Sequence, residues 1–349
     1  MVWHKNYLVR DLTAAAGLER EDLPAPGAEG LLAVYDGQTL VFAESPWRLL
    51  TLIRLLWRYW LSWFSFRGAP AQTFQRFEQI YALLANGTTF DRPVDLLKAV
   101  GLYDLTQASM FEWLRVNLGE SGDLLGSELI AGVNRCNCNQ NNQELNALAG
   151  MVSMPARHRP WSLPGVQLAG FQKPVVPARK YQQTVATFVR GEVRPSFFGL
   201  PSMDYAAVLV SDAAARLPWS SLGLEQQQPC VEAVPHAWLS MMFEAGFEVV
   251  ANHTWSTPGA YPAFDPPEDF APFTLCPGLY YAAALENAAS AMEIAAIEGR
   301  MAALLTAQHL RRRGAADAGE QAALHLRSEG VLGAGTGAGS ERHEAAGAA

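Results

Sequence analysis

The sequence predicts an α/β fold, and three observations lead to it. Half of the 349 residues are hydrophobic and only 17% are charged, which is enough apolar material for a sizeable core. Strand-type segments, including a hairpin at 31–42, lie on both sides of a long helical region. Residues 279–305 have the pattern of a short apolar strand, a small-residue turn and a helix. The length allows one large domain or two ordinary ones.

Charge and cysteine content exclude several classes of function. The net charge is −8 and the isoelectric point is near 5.4, whereas nucleic-acid phosphates require a basic face, so no nucleic-acid partner is predicted. Four cysteines are too few for a disulfide scaffold. The histidines lie far apart without metal-ligand spacing, so no metal site is predicted. The residues by themselves identify no catalytic nucleophile or base.

The elements follow in chain order. An amphipathic helix is predicted at 6–18, and apolar runs around Asp36-Gly37 predict the hairpin. Strands are predicted at 184–193 and 206–210, and residues 154–180 and the proline-rich run 255–278 are predicted to be irregular. Helices are predicted at 49–66, 73–85, 93–101, 104–118, 123–134 and 236–245, and the asparagine-rich stretch 134–146 is a loop or a helix end.

The segment 49–66 is conspicuous because it is long and strongly apolar. Arg54 and Arg58 lie near its middle, where each would cost about 2.5–3.5 kcal/mol in a bilayer, so an amphipathic helix fits better than a membrane span. Its wide apolar face could be core, could line a pocket for an apolar substrate, or could contact a membrane surface. The residues leave these three interpretations open.

The segment 279–305 could bring a helix N-terminus to an anionic cofactor, although an ordinary buried strand–helix unit has the same pattern. Residues 333–338 have the letters of a dinucleotide fingerprint, but no convincing strand precedes them, and coincidence in a low-complexity tail is the better interpretation. Residues 314–349 are predicted to be a disordered tail.

Several ordered segments carry a resemblance to a known family. They are His4-Lys5-Asn6, the hairpin, Trp57-Arg58-Tyr59, 90–105, 128–153, 187–200 and, most closely, 260–305. Together they resemble the prenylcysteine oxidase family, and within it the plant-type farnesylcysteine lyases. The resemblance covers most of residues 1–310.

The resemblance implies a Rossmann-type FAD fold similar to that of flavin amine oxidases. Residues 1–313 would form one prenylcysteine lyase-like domain, with a helical substrate subdomain at 49–150 and a sheet and FAD-facing strand–turn–helix at 179–310. The implied activity is FAD-dependent oxidation of the thioether of prenylcysteine by dioxygen, giving a prenyl aldehyde, cysteine and hydrogen peroxide. The implied location is the lysosome or vacuole, and peripheral membrane contact through 49–66 stays open.

Matching positions give the candidate site residues. The implied cofactor-binding residues are Glu286, Asn287, Ala288, Met292 and Glu293. The implied substrate-side residues are Trp57, Trp60, Arg135 and Asn137.

The chain also departs from the family pattern. The family's N-terminal strand–GxGxxG–helix unit has no counterpart, so the first βαβ unit of the fold is expected to be missing. A segment that approaches the flavin in the family is reduced to 161–165. An alternative function is therefore a non-catalytic prenyl- or membrane-surface-binding remnant that has lost the flavin, and a third is a chain that never folds stably.

Overall fold

The computed structural model describes residues 6–17, 30–153, 176, 179–212, 216–224, 230–231, 234–255 and 261–333. The helices are α1 (Tyr7–Ala15), α2 (Arg48–Ala85), α3 (Pro93–Ala99), α4 (Met110–Leu118), α5 (Asp123–Leu125), α6 (Ala131–Cys138), α7 (Ala147–Ser153), α8 (His236–Met242) and α9 (Met292–Gly333). A π-helical turn, Gly126–Ile130, joins α5 to α6.

The described strands form one large mixed sheet and two small ribbons. The strands are β1 (Leu31–Tyr35), β2 (Leu40–Ala43), β3 (Tyr181–Gln182), β4 (Thr184–Arg190), β5 (Tyr205–Val210), β6 (Ser221–Gly223), β7 (Cys230–Val231), β8 (Glu248–Trp255), β9 (Tyr261–Pro262), β10 (Thr274–Cys276) and β11 (Leu279–Tyr280). The seven-stranded sheet has the order β2-β1-β5-β6-β7-β4-β8. Among the described strands only β1 and β5 pair in parallel within it, so the sheet is mixed and mainly antiparallel, and with the helices it gives a mixed α/β fold.

Three apolar clusters hold these elements together. One packs the second half of α2, α3 and α9 against the loop 264–289. A second covers one face of the sheet, where Trp219, Phe198 and Phe243 are fully buried. The third packs the β1–β2 hairpin against the first half of α2, α4 and the π turn. The second half of α2, α3 and α7 therefore share one apolar cluster with α9, while α8 packs on the large sheet.

Most predicted elements are confirmed, with two differences in the helices. The predicted helices at 49–66 and 73–85 form the single 38-residue α2, which kinks at Trp60 (φ 50°, ψ −139°) and passes through Pro70. The predicted disordered tail is helical over 314–333, because α9 continues through Gly333. Its alanine, glutamate, arginine and leucine residues favour helix without needing a core. Residues 334–349 lie outside the described residues.

The strands differ more from the predictions. Strand β8 was not predicted. It is an edge strand whose residues are almost all exposed, so its sequence lacks the alternating apolar pattern of a half-buried strand. The predicted strand that opens 279–305 is only two residues long. It pairs with β10 in a separate ribbon and does not enter the large sheet.

Candidate functional site

The turn between β11 and α9 borders a cavity of about 170 Å³. The turn contributes Glu286 and Asn287, two of the predicted cofactor-binding residues, to the lining of the cavity. Its opposite side comes from the segment around β3 and β9. The other lining residues are Val176, Arg179, Tyr181, Pro262, Ala271, Tyr281, Ala283 and Ala284.

A buried polar network positions this turn. Asn146, which precedes α7, donates from Nδ2 to the backbone oxygen of Asn287 (2.9 Å) and to Glu268 Oε1 (3.0 Å). Arg179 donates from Nη1 to Glu268 Oε2 at 2.6 Å. Hydrogen bonds through Asn146 and Glu268 therefore connect the turn to the start of α7 and to Arg179, which lies just before β3.

The Nε atom of Arg179 is buried and has no hydrogen-bond partner among the described residues. A buried N–H group without a partner is costly, and such a group beside a cavity is a candidate donor for a ligand. Burial raises the pKa of Glu268, while the hydrogen bond from Asn146 and the charge of Arg179 lower it.

Two buried carboxyl groups, one in the turn and one in α9, lie close to each other. Glu298 of α9 is 2% exposed and accepts a hydrogen bond from the backbone N–H of Leu285. Burial raises its pKa well above the usual value, and the nearby Glu286 adds to this effect. Burial also raises the pKa of Glu286, and a hydrogen bond with Ser290 opposes the shift. Burial raises the pKa of Tyr281 to about 12, so its phenol is neutral at physiological pH.

The five predicted cofactor residues occupy different environments. Glu286 and Asn287 line the cavity. Ala288 is buried in the apolar cluster around α9, and Met292, the first residue of α9, is 40% exposed. The Glu293 carboxylate accepts hydrogen bonds from the backbone N–H groups of Leu8 (2.9 Å) and Val9 (3.0 Å) in α1. The structure thus brings two of the five residues together at the cavity.

A separate groove of about 670 Å³ runs between β2 and the first half of α2. Its walls are mostly apolar, and two arginines lie at its side. The lining residues are Leu40, Val41, Phe42, Ala43, Arg54, Trp57, Arg58, Leu124, Leu200 and Tyr205.

The two arginines differ in their partners. Arg58 makes a two-pronged contact with Glu128 on the π turn, with Nε–Oε2 and Nη2–Oε1 distances of 2.6 Å each. Tyr59 also donates to Glu128, at 3.1 Å. Arg54 is exposed and donates from Nη1 to the carbonyl of Ala43 at 2.9 Å. Since a guanidinium has five N–H donors, Arg54 retains donors for a ligand in the groove.

The four predicted substrate-side residues are also dispersed. Trp57 lines the groove, whereas Trp60 is at the kink of α2 and is 71% exposed. Arg135 is buried and donates to the carbonyl of Ser211 at the end of β5. Asn137 donates to the carbonyl of Ser153 (2.7 Å) and thereby joins α6 to α7.

Sequence reasoning missed Asn146, Arg179, Glu268, Glu298 and the Arg58–Glu128 pair. The asparagines at 134–146 look like loop residues in the sequence, yet Asn134, Asn142 and Asn146 are buried and hydrogen-bonded. The available signal was the repetition of asparagine within a few positions beside apolar helices. Because asparagine is rarely buried without hydrogen-bond partners, this repetition could have indicated a buried polar network. The remaining residues have no local signal, because their partners lie far away in the chain.

The described part of the chain shows no sign of a metal centre or a membrane span. No group of three or more metal-ligating side chains occurs there. None of the described helices combines the length and apolar content that crossing a bilayer requires. Cys138 and Cys276 are outside any disulfide, and burial raises the pKa of Cys138 to about 12. The predicted flavin-approaching segment 161–165 lies outside the described residues.

The described part of the protein has a mixed α/β fold with two concave sites. One is a cavity lined in part by the Glu286 carboxyl group, and the other is a mostly apolar groove with Arg54 and Arg58 at its side. The sequence profile of the prenylcysteine lyase family matches residues 42–167 and 230–318, which is more than half of the chain. The chain therefore belongs to the prenylcysteine lyase family, and the resemblance predicted from the sequence is confirmed.

Individual relatives agree with this assignment. The chain is 25% identical to prenylcysteine oxidase 1 of Mus musculus, with 80% of this chain and 73% of the relative aligned. It is 26% identical to the farnesylcysteine lyase of Arabidopsis thaliana, with 86% and 75% aligned. Its identity to prenylcysteine oxidase 1 of Homo sapiens is 25%, over 86% of this chain and 76% of the relative.

Proposed function

We propose that this protein is an FAD-dependent oxidase of the thioether in prenylcysteine, with farnesylcysteine as its substrate and dioxygen as the electron acceptor. Family membership and the names of the relatives support the substrate class. The observation that carries the proposal is the groove between β2 and α2. The proposed compartment is the lysosome or vacuole.

The groove suits an amphiphilic ligand with an anionic end. Its walls include Leu40, Phe42, Leu124 and Leu200, which would cover an isoprenoid chain and exclude water from it. Arg54 would bind the α-carboxylate of the cysteine part through its remaining N–H donors. The pairing with Glu128 leaves Arg58 as a fixed wall of the groove.

In this proposal, the cavity beside Glu286 would hold part of a flavin nucleotide. The unpartnered Nε–H of Arg179 would donate to an acceptor atom of the cofactor, and Tyr181 and Tyr281 would provide flat apolar contact. The side chain of Asn287 is held by a hydrogen bond to the carbonyl of Asp269 (3.0 Å), so it would present a fixed polar surface. When bound, FAD would accept a hydride from the prenyl carbon next to the sulfur and pass the electrons to dioxygen.

The overall reaction balances without a protein nucleophile. Prenylcysteine loses a hydride from the prenyl carbon bonded to sulfur, and water adds to that same carbon, releasing a proton. Breakage of the carbon–sulfur bond then gives the prenyl aldehyde and cysteine, and dioxygen becomes hydrogen peroxide. The residues of this chain bind and orient the reactants, which is consistent with the absence of a recognisable nucleophile motif from the sequence.

The test is to purify the full chain, add FAD, remove unbound cofactor and record flavin absorbance near about 450 nm. We then expect farnesylcysteine to be consumed with equal amounts of hydrogen peroxide, free cysteine and farnesal. Protein that binds farnesylcysteine but retains no flavin would contradict the proposal and favour the prenyl-binding alternative.

A matched pair of substitutions tests the groove. Leu124→Asp places a charge in the groove, and we expect KM for farnesylcysteine to rise at least about tenfold because apolar contact is lost. Val116→Asp is the control, because Val116 is exposed on α4 and does not line the groove. An equal rise in both variants would rule out the groove as the prenyl site.

A further inference from the structure

The first half of α2 exposes a continuous apolar face. Trp57 is 80% exposed and Trp60 71%, and their neighbours at helical spacing are also open to solvent. We call this surface the α2 apolar face; its residues are Leu49, Leu50, Ile53, Trp57, Trp60, Leu61 and Phe64. A contiguous exposed apolar surface of this kind marks an interaction site.

The orientation of the helix is fixed by its other side. Tyr59, Ser62 and Phe66 are buried, and Ser62 donates from Oγ to the carbonyl of Ser121 at 2.6 Å. The Arg58–Glu128 contact adds a second anchor. The helix cannot rotate its apolar face inward without breaking these contacts. Of the three interpretations left open for 49–66, core packing does not describe this face, because its side chains are exposed.

The charge around the face has one sign. Residues 45–77 contain five arginines, at positions 48, 54, 58, 67 and 76, and neither aspartate nor glutamate, although the whole chain has a net charge of −8. On the neighbouring elements, Glu128 is paired with Arg58 and Asp123 with Arg115, while Glu44 is half-buried just before the segment and Glu120 is exposed. The exposed arginines of the first half of α2 that have no acidic partner in these ion pairs are Arg48, Arg54 and Arg67, and they give this part of the helix a cationic surface.

We propose that the α2 apolar face docks on the surface of an anionic phospholipid membrane. Aromatic residues, tryptophan above all, and flanking arginines are the residues that favour a membrane interface, and an amphipathic helix with this composition lies in the interface plane. Arg48 and Arg67 would contact lipid phosphates while the leucines and tryptophans enter the acyl boundary. A second copy of this chain would bring the same arginines together, which disfavours it as the occupant.

Docking on a membrane would bring the groove next to prenyl chains in the bilayer, a role that rests on the proposed function. Trp57 belongs both to the α2 apolar face and to the lining of the groove. A prenyl chain dissolved in the bilayer could therefore pass into the groove along a continuous apolar surface. Its transfer through water would be avoided.

The experiment is co-sedimentation of the purified full chain with phosphatidylcholine vesicles, with and without phosphatidylserine. We expect binding to the vesicles that contain phosphatidylserine and weaker binding as salt is raised. The double variant Ile53→Ser/Leu61→Ser should reduce the partition coefficient at least about tenfold, since two apolar side chains no longer enter the interface. Arg48→Gln/Arg67→Gln should lower it by about tenfold on the anionic vesicles.

The matched control is Leu12→Ser/Leu310→Ser. Leu12 and Leu310 are 59% and 61% exposed, close to the 52% and 62% of Ile53 and Leu61, but they lie on α1 and α9. The control should bind vesicles like the wild type. No vesicle binding, equal binding by the Ile53→Ser/Leu61→Ser variant, or a wild-type dimer that this variant converts to a monomer in light scattering would overturn the proposal. Vesicle binding is measured without substrate or flavin, so its outcome is independent of the proposed oxidase activity.

Discussion

Four buried carboxylates each link distant parts of the chain. Glu128 accepts from Arg58 and Tyr59, Glu268 from Asn146 and Arg179, and Glu298 from the backbone of Leu285. Glu293 is the fourth, and its partners are in α1. A buried carboxylate costs free energy unless it is paired or hydrogen-bonded, and each of the four accepts at least one hydrogen bond.

The Arg58–Glu128 pair should contribute measurably to stability. Glu128→Ala removes the hydrogen-bond acceptor of Arg58 and of the buried Tyr59 hydroxyl. We expect the free energy of unfolding, measured by urea denaturation, to fall by about 2 kcal/mol. This figure is below that for a fully buried pair because the Arg58 side chain is 35% exposed.

The control for this measurement is Glu248→Ala. Its partner is Arg190, and the two side chains are 64% and 67% exposed, so we expect a loss below about 1 kcal/mol. Equal losses in the two variants would show that the Glu128 contacts add nothing beyond a surface pair.

Glu298 should make stability depend on pH. Its folded pKa is raised above the usual 4.5 by burial, so its contribution is fully present below that value and is lost as pH rises through the folded pKa. Glu298→Gln cannot ionise, and its side-chain oxygen can still accept the Leu285 N–H. We expect the stability difference between wild type and this variant to move in favour of the variant from about pH 4.5 to about pH 8, measured by urea unfolding. A pH-independent difference would contradict this assignment.

Among the elements, α1 depends on a cap from another helix. Its own N-cap residue, Asn6, makes no side-chain capping hydrogen bond. The Glu293 carboxylate of α9 instead accepts from the N–H groups of Leu8 and Val9 in the first turn of α1, where an acidic group also interacts well with the helix dipole. The start of α1 is therefore held by α9.

Removing this cap should loosen α1 selectively. For Glu293→Ala we expect α1 to lose about 1 kcal/mol of local stability and its amide hydrogens to exchange about fivefold faster. Hydrogen-exchange mass spectrometry of peptides covering 7–15 measures this directly. Glu112→Ala serves as control, because it breaks the capping box of α4 formed with Ser109 and should accelerate exchange in α4 alone. Unchanged exchange in α1 of the Glu293 variant would refute the capping role.

The kink in α2 is a further feature at this scale. Trp60 has a positive φ of 50°, a conformation that costs a non-glycine residue about 1–3 kcal/mol. Local pattern could not reveal it, because the apolar periodicity of 49–66 continues smoothly through Trp60. The packing of Tyr59 and Ser62 on either side holds the kinked backbone in place.

For the whole molecule, the charges and apolar surfaces are unevenly distributed. A chain with a net charge of −8 concentrates five arginines and an exposed apolar face on one helix. The cavity beside Glu286, in contrast, is lined by this one carboxyl group, whose pKa is raised by burial. The proposed membrane contact and the proposed cofactor contact are thus on surfaces of different chemistry.

Much of the fold could be predicted from local pattern. The hairpin around Asp36-Gly37, the helix beginning at Pro93 and the strands β4 and β5 each follow from residue types within a short window. Strand β8 and the positions of the buried asparagines could not be predicted, since their residues are explained by partners elsewhere in the fold. The site was predicted in part, because Glu286 and Asn287 line a cavity whose opposite wall, with Arg179, had no signal.

The mixture of helices and strands, the family and the strongly apolar character of 49–66 can all be read from the order of residues. Which side of this helix is exposed depends on packing, and here the apolar side faces outward while Tyr59 and Ser62 face inward. The physical reason is that periodicity defines the two faces of a helix, but burial depends on which face its neighbours cover. Here the π turn and residues 119–122 cover the side that offers hydrogen bonds to Glu128 and Ser121, and Trp57 is left in the open.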